Sequence, residues 1–377
     1  MDFETLLLHT GDEYDETTGA LSKPIYQVST FQQKDVFKKQ EFYYSRSENP
    51  TRKGLETALA KIENGEYAYA FSSGMAAISS IPFALLKSGD HIIAPIDIYG
   101  GSHRLFDRIL PNFGITADFV EMTELKNIEQ AIKKNTKLLF IETPSNPLLK
   151  VVDIEGCVEI AKKHNLITVI DNTFMTPYFQ KPLDLGVDIV IHSATKYLGG
   201  HSDVVAGAVI TNNKEFAKKI YFIQYSLGGI LGPQDSFLLL RGLKTLKIRM
   251  EQQSQTAKKL AHWLKEQKWV KTVYFPEFDS NNHIQIKQAK GYGAVVSFET
   301  TEEELALKIM KNVKIWSVAV SLGGVESIIT YPRLMSHNDV SEEDAKKMGI
   351  TRSLLRLSVG LESFEDLYKD LLQAIDN

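Results

Sequence analysis

The residues most able to do chemistry gather around Lys196, in the stretch Asp188-Ile-Val-Ile-His-Ser-Ala-Thr-Lys-Tyr-Leu-Gly-Gly-His-Ser-Asp203. Asp188 to Ile191 is a short, β-rich apolar run suited to a buried strand, and it empties into Ser193 and Thr195 beside the amine. Desolvation there would lower the pKa of the ammonium toward the neutral amine that attacks carbonyls, and the flanking hydroxyls suit a phosphate. Upstream, Leu166-Ile-Thr-Val-Ile-Asp171-Asn-Thr173 is a second apolar run ending in an acid, and a carboxylate at the end of a buried strand wants a cationic partner. Taken alone, a lysine just past a strand is ordinarily a solvated loop residue. An amine able to form an imine, an acid for a protonated pyridine nitrogen and hydroxyls for a phosphate together meet the requirements of pyridoxal 5'-phosphate.

The elements that must position these groups follow from periodicity. Residues 1–46 are polar and irregular, broken by Gly11, Gly19 and Pro24, and read as an extended arm that wants a partner surface. A helix is expected from Asn49-Pro-Thr-Arg52 to about Ile62, with Leu55, Leu59 and Ile62 on one face. Tyr67 to Phe71 reads as a strand that turns through Ser72-Ser73-Gly74-Met75 into a new helix, whose first turn leaves N–H groups free for an anion. Strand and helix then alternate through His91–Ala94, a helix over about 101–113, Thr116–Val120, a helix near Ile128–Ile132, Lys137–Glu142 and the helix Ile154–His164. This rhythm predicts an α/β domain with a mostly parallel sheet, helices on both faces and ligand sites at the carboxyl ends of strands. A long helical stretch over about 235–268, broken or bent near Gly242, links to strands at Gly293–Phe298 and Lys314–Val320 and helices at Glu302–Met310 and Phe364–Ile375, a smaller α+β domain. The expected division is an arm over 1–46, a cofactor domain over 47–242 and a C-terminal domain over 243–377.

Three further residues stand where such a site needs them. Arg356 interrupts the apolar run Leu354–Val359, where an unpaired guanidinium is expensive unless it faces an anion such as a carboxylate or an internal ion-pair partner. Tyr99, in Ile98-Tyr-Gly-Gly101, opens a helix where its ring could stack on a cofactor or simply pack. Asn146 follows the strand end Glu142-Thr-Pro-Ser and could hydrogen-bond a ring hydroxyl, although Asn-Pro is also a common turn pair.

The chain resembles the Cys/Met-metabolism family of pyridoxal-phosphate enzymes, which includes cystathionine lyases and synthases. The resemblance is carried by Ser193-Ala-Thr-Lys196-Tyr-Leu-Gly-Gly-His, Tyr44-Ser-Arg46-Ser-Glu-Asn-Pro-Thr-Arg52, Phe71-Ser-Ser-Gly74-Met75, Glu142-Thr-Pro-Ser-Asn146-Pro, Asp171-Asn-Thr173, Ser321-Leu-Gly-Gly-Val-Glu326-Ser327 and Leu355-Arg356-Leu-Ser-Val-Gly, in family order over nearly the whole chain. It implies a fold type I, aspartate-aminotransferase-like large domain, with pyridoxal 5'-phosphate held as an imine of Lys196. It also implies that Ser73, Gly74, Met75, Ser193 and Thr195 hold the phosphate, together with Tyr44 and Arg46 from a neighbouring subunit. Asp171, with Thr173, would meet the pyridine nitrogen, Asn146 the ring hydroxyl, and Tyr99 would stack on the ring and assist proton transfer. Arg356 and Ser327 would fix the α-carboxylate of an amino-acid substrate. An arm that reaches a neighbour implies a homo-oligomer, by resemblance a tetramer.

Bulk properties exclude other classes. A net charge of −4 with scattered lysines argues against nucleic acid or anionic membrane as partner, and no apolar run approaches the roughly 18 residues of a membrane span. The single cysteine, Cys157, cannot make an internal disulfide, and the N-terminus lacks targeting character, so cytoplasm is expected. His192, His201 and Asp203 match no familiar metal-ligand spacing, so no metal is expected.

The reaction is less determined than the cofactor. The γ-enzymes resemble one another in an acid just before the Tyr-Ser-Arg motif, where this chain has Tyr43, which favours cystathionine β-lyase; Glu326 matches several γ-enzymes and could bind a distal ammonium. Cystathionine γ-lyase and γ-synthase, or an O-acylhomoserine thiol-transferring enzyme, are the alternatives. Methionine γ-lyase fits less well, because its cysteine is Gly101 or Ser102 here. An aminotransferase and a non-enzymatic family member are readings from other classes; the presence of Lys196, Asp171 and Arg356 argues against the latter.

Overall fold

The computed structural model describes residues 1–11, 14–38, 40–335 and 342–376. Its larger sheet has seven strands, β1 (Tyr67–Phe71), β2 (His91–Pro95), β3 (Thr116–Val120), β4 (Thr136–Glu142), β5 (Ile167–Asp171), β6 (Ile189–His192) and β7 (Gly207–Thr211), in the order β1-β7-β6-β5-β4-β2-β3. The neighbours from β6 through to β3 are parallel, while β7 runs antiparallel to both β1 and β6. Period-two alternation splits each strand between two cores: Val169, Ile189 and Ile191 pack with Ile78 and Ile81 on one face, and Ile170 and Val190 with Leu55 and Leu59 on the other.

Four helices matter for the site: α1 (Phe3–His9), α2 (Pro50–Ile62), α3 (Gly74–Leu85) and α4 (Gly100–Arg104). Asn49 starts α2 by accepting from Thr51 N and Arg52 N, with Pro50 at the first helical position, where its missing N–H costs nothing. Ser73 caps α3 by accepting from Ala76 N at 3.0 Å.

The smaller sheet is β10-β11-β12-β9-β8, with β8 Val270–Tyr274, β9 Val295–Thr300, β10 Ser317–Val318, β11 Ile328–Thr330 and β12 Leu354–Ser358. The long helical stretch divides into Pro233–Leu243 and Leu246–Lys265. The break comes just after Gly242, where only glycine fits: a Cβ there would lie 2.3 Å from Gly199 O, and Arg249 Nη2 donates to the Gly242 carbonyl at 2.8 Å.

Three local expectations change. The arm begins with α1, because Leu7 buries itself in the main core. The expected strand 314–320 contracts to Ser317–Val318, because the Asp370 carboxylate takes the backbone N–H groups of Lys314, Ile315 and Trp316 at 2.7–3.1 Å and removes them from any ladder. The helix over 101–113 leaves α geometry after Arg104 for a π turn at Leu105–Ile109 and a 3-10 turn at Leu110–Phe113, where Pro111 has no N–H to continue the ladder. Strands β7, β8 and β11 were not anticipated.

The smaller domain touches the lysine through Gly323. It has φ +83°, and a Cβ on it would lie 2.6 Å from Tyr197 N and 3.1 Å from Lys196 Cα. Gly323→Ala is therefore expected to cost on the order of 1–3 kcal/mol of stability from its backbone conformation alone, read as a fall in melting temperature, and to weaken cofactor retention by displacing Lys196.

Candidate active site

The carboxyl ends of β4, β5 and β6, the first turn of α3 and the loop before β11 enclose a cavity of about 530 Å³. Ser73, Gly74, Met75, Tyr99, Asn146, Asp171, Thr173, Ser193, Thr195, Lys196 and Arg356 all line it, although they come from six separate parts of the chain. Lys196 follows β6 in a turn closed by its own N–H to Ser193 O at 3.1 Å. Burial and the Arg356 guanidinium push its ammonium down to about 8, with Asp171 opposing.

Asp171 ends β5 directly beside Glu142 at the end of β4. Burial raises the Asp171 carboxyl, while donation from Thr173 Oγ1 at 2.5 Å and Thr173 N at 3.0 Å and the nearby His192 and Lys196 oppose this. Burial and then Asp171 push Glu142 well above the carboxylate range. Cations rank among the main influences that oppose the rise of Asp171 and not among those of Glu142, so Glu142 is the better proton holder and Asp171 the better anion. In the sequence Glu142 stands out only as the head of Glu142-Thr-Pro-Ser-Asn146-Pro. In the structure its Oε2 accepts from Tyr99 N at 3.2 Å and its Oε1 from Asn146 N at 3.1 Å, so it fixes the backbones of two other lining residues.

The α3 end is shaped for an anion. Its early N–H groups have no intrahelical partners, and a Cβ on Gly74 would come within 2.9 Å of Ser193 Cβ, so glycine lets the helix end approach the hydroxyl. Thr195 Oγ1 is tied to Ala206, donating to its carbonyl at 3.1 Å and accepting from its N–H at 2.9 Å. The Tyr99 ring lies over Gly101, where a Cβ would meet its Cε1 at 2.5 Å. Burial raises its phenol, with Arg104 opposing.

Arg356 is 2% exposed. It donates to Asn146 Oδ1 at 2.7 Å, Ser321 O at 2.8 Å and Thr330 Oγ1 at 3.3 Å, all neutral acceptors, while its Nε has none; burial lowers it to about 10. Among the described residues no carboxylate forms a salt bridge with it.

Some expected residues stand elsewhere. Ser327 is fully buried outside the cavity: its Oγ donates to Glu362 Oε2 at 2.7 Å and accepts from Gly360 N at 2.8 Å. The serine of that motif which lines the cavity is Ser321, at its head, which accepts from Lys196 Nζ at 2.5 Å and has φ +83°. The sequence offers two serines in one motif; Glu362, two residues past Gly360, is the signal that claims the second. Glu326 occupies an adjoining recess of about 500 Å³ that shares Thr195, Val205, Val320 and Ser321 with the main cavity, and it accepts from Ser202 Oγ. Tyr43, Tyr44 and Arg46 do not line this chain's own cavity. Tyr43 donates to Ser47 Oγ at 2.8 Å, Arg46 lies over the Tyr44 ring at 5.4 Å, and both tyrosines are 40% or more exposed. Phe174, Val205, Leu322 and Met335 supply apolar wall that the sequence did not single out.

This geometry agrees with what the chain is similar to. The family model for Cys/Met metabolism PLP-dependent enzymes matches residues 4–376. The chain is 48% identical over 378 residues to a cystathionine gamma-lyase of Bacillus subtilis, covering 99% of each, and 48% identical over 375 residues to a cystathionine beta-lyase of Lactococcus lactis subsp. cremoris, covering 99% of this chain and 98% of the other. The crystal structure of cystathionine gamma-lyase from Lactobacillus plantarum complexed with L-serine superposes with a TM-score of 0.97 at 43% identity, over 100% of this chain and 99% of that one. The chain belongs to the Cys/Met-metabolism family of pyridoxal-phosphate-dependent enzymes. Its fold is the one expected, with a mostly parallel large sheet and a smaller C-terminal sheet domain.

Replacing each serine separates the two assignments. Ser321→Ala is expected to raise KM for an amino-acid substrate about tenfold, the equivalent of one hydrogen bond to a charged group. Ser327→Ala is expected to lower the melting temperature through an unsatisfied Glu362, with kcat/KM little changed.

Proposed function

We propose that the protein is a carbon–sulfur lyase acting on L-cystathionine, with β-elimination as its reaction: cystathionine and water give homocysteine, pyruvate and ammonia. The observation that carries an amino-acid substrate is Arg356, a buried cation with no carboxylate partner among the described residues, in the same cavity as Lys196. An α-carboxylate held by its fork, with Ser321 in place of Ser327 beside it, fixes the substrate so that the bond to be broken is aligned.

Bound pyridoxal phosphate supplies an electron sink for the negative charge left at the α-carbon. The chain's own residues do the rest. The Lys196 amine, held near neutrality by burial, takes the α-proton and can return it further along the substrate. Asp171 would meet the ring nitrogen as an anion, Asn146 would serve the ring hydroxyl, and Tyr99 would stack on the ring. Ser73, Gly74, Met75, Ser193 and Thr195 would hold the phosphate, joined by Tyr44 and Arg46 of a neighbouring subunit. The position of those two residues outside their own chain's cavity supports a homo-oligomer, a tetramer by family likeness, and the single buried cysteine supports a reducing cytoplasm.

Tyr43 supports β-elimination, because it places an aromatic wall where the γ-enzymes carry an acid. Glu326 favours the second reading, a γ-lyase or γ-synthase, since its recess opens beside Thr195 and Ser321 and suits a distal ammonium. Incubating the cofactor-loaded protein with L-cystathionine and identifying the keto acid by mass spectrometry decides between them. Pyruvate with homocysteine is the expected result. 2-Oxobutyrate with cysteine would contradict β-elimination and shift the weight to Glu326, and no keto acid at all would point to replacement on an activated homoserine.

A further inference from the structure

Behind the strand ends that carry Asp171 and Ser193 lies a buried polar cluster that the chemistry above leaves unused. Glu63 closes α2 and is 0% exposed, and His192, Asn172 and Gln180 are no more than 1% exposed. Glu63 Oε1 accepts from His192 Nε2 in a short hydrogen bond and from Asn172 Nδ2 at 3.2 Å. Asn172 Nδ2 also reaches Gln180 O at 2.9 Å, and Gln180 Nε2 donates back to Asn172 Oδ1 at 3.0 Å. Glu63 Oε2 and His192 Nδ1 have no hydrogen-bond partner among the described residues.

A carboxylate and an imidazole in this position carry a desolvation cost that aliphatic side chains would avoid, so their placement matters. Asn172 is the neighbour of Asp171, and His192 the neighbour of Ser193. By strand alternation both point away from the α3 face on which Asp171 and Ser193 sit. The two strand ends are joined by Asn172 N to Ile191 O at 2.9 Å and by Ser193 N to Thr173 Oγ1 at 2.8 Å. The cluster therefore grips from behind the same strand ends that Thr173 links at the front. His192 is also one of the charges that oppose the burial of Asp171.

We infer that Glu63 and His192 are positioning residues for the cofactor: the pair clamps the ends of β5 and β6 from behind and so holds Asp171 in place toward the ring nitrogen. The inference rests on the reading of Asp171 as that partner. Asp171 is faced by Glu142 from β4, by His192 from the end of β6 and by Lys196 beyond it, and Glu63 is faced in addition by Lys181.

The test compares the holoenzyme with Glu63→Gln, His192→Gln, the double variant and Asp171→Asn, reading cofactor affinity, the pH midpoint of the visible cofactor band and the melting temperature. Each single change is expected to weaken cofactor binding about tenfold, as loss of an outer-shell partner does. Each is also expected to move the band midpoint by about half a unit or more, and the double variant to add little, since the two act as one unit. A lower melting temperature with affinity and midpoint unchanged would make the cluster merely structural and overturn the inference. A band unaffected by Asp171→Asn would instead overturn the reading of Asp171. If these variants do not fold, the conservative Glu63→Asp, which keeps the carboxylate but shortens its reach to His192, is read in the same way: weaker cofactor binding supports the inference, and unchanged affinity and midpoint contradict it.

Discussion

Two cations, the Lys196 ammonium and the Arg356 guanidinium, share one buried cavity in which Asp171 is the principal anion. Taking positive charge out of water is unfavourable unless anions complete the site, and burial acts on both groups in the same direction, lowering Lys196 to about 8 and Arg356 to about 10. A phosphate and a carboxylate would balance that charge. The site is thus suited to anionic ligands, and burial of the amine is what makes the lysine a nucleophile.

The fold holds these groups by backbone more than by side-chain reach. Parallel strands β4, β5 and β6 deliver Glu142, Asp171 and the Ser193–Lys196 turn to one edge, and β12 of the smaller sheet brings Arg356 across to Asn146 and Ser321. Close approaches fix the distances between these pieces. Gly74 presses on Ser193, and Gly323 presses on the backbone of Lys196 and Tyr197, so neither position has room for a Cβ. Glu142 adds a second kind of constraint, because one buried carboxyl sets the backbones of both Tyr99 and Asn146.

Much of this was legible in the sequence because the cofactor stretches fall where apolar runs end, and strand ends are where an α/β sheet places its ligands. Lys196, Asp171 and Arg356 could be found because each is a charge at the edge of, or inside, an apolar run. Ser321 and Ser327 could not be told apart, since their difference lies in the distant Glu362 that occupies only one of them. The strand expected at 314–320 was lost for a similar reason, to Asp370 in the last helix. His192 appeared in the sequence only as an unconvincing metal ligand; its partner Glu63 is 129 residues away, and only the fold brings them together. The arm's first helix was hidden by its length of seven residues, too short to show a period.

The central claim is that burial makes Lys196 the one amine poised to capture the cofactor. It is tested most directly by stripping the protein, adding pyridoxal phosphate across a pH series, fixing the adduct with borohydride and mapping it by peptide mass spectrometry. The account predicts a single labelled peptide containing Lys196, with labelling that rises as the free amine forms, through a midpoint of about 8. Label on another lysine, or a midpoint near the ordinary lysine value of about 10.4, would contradict it.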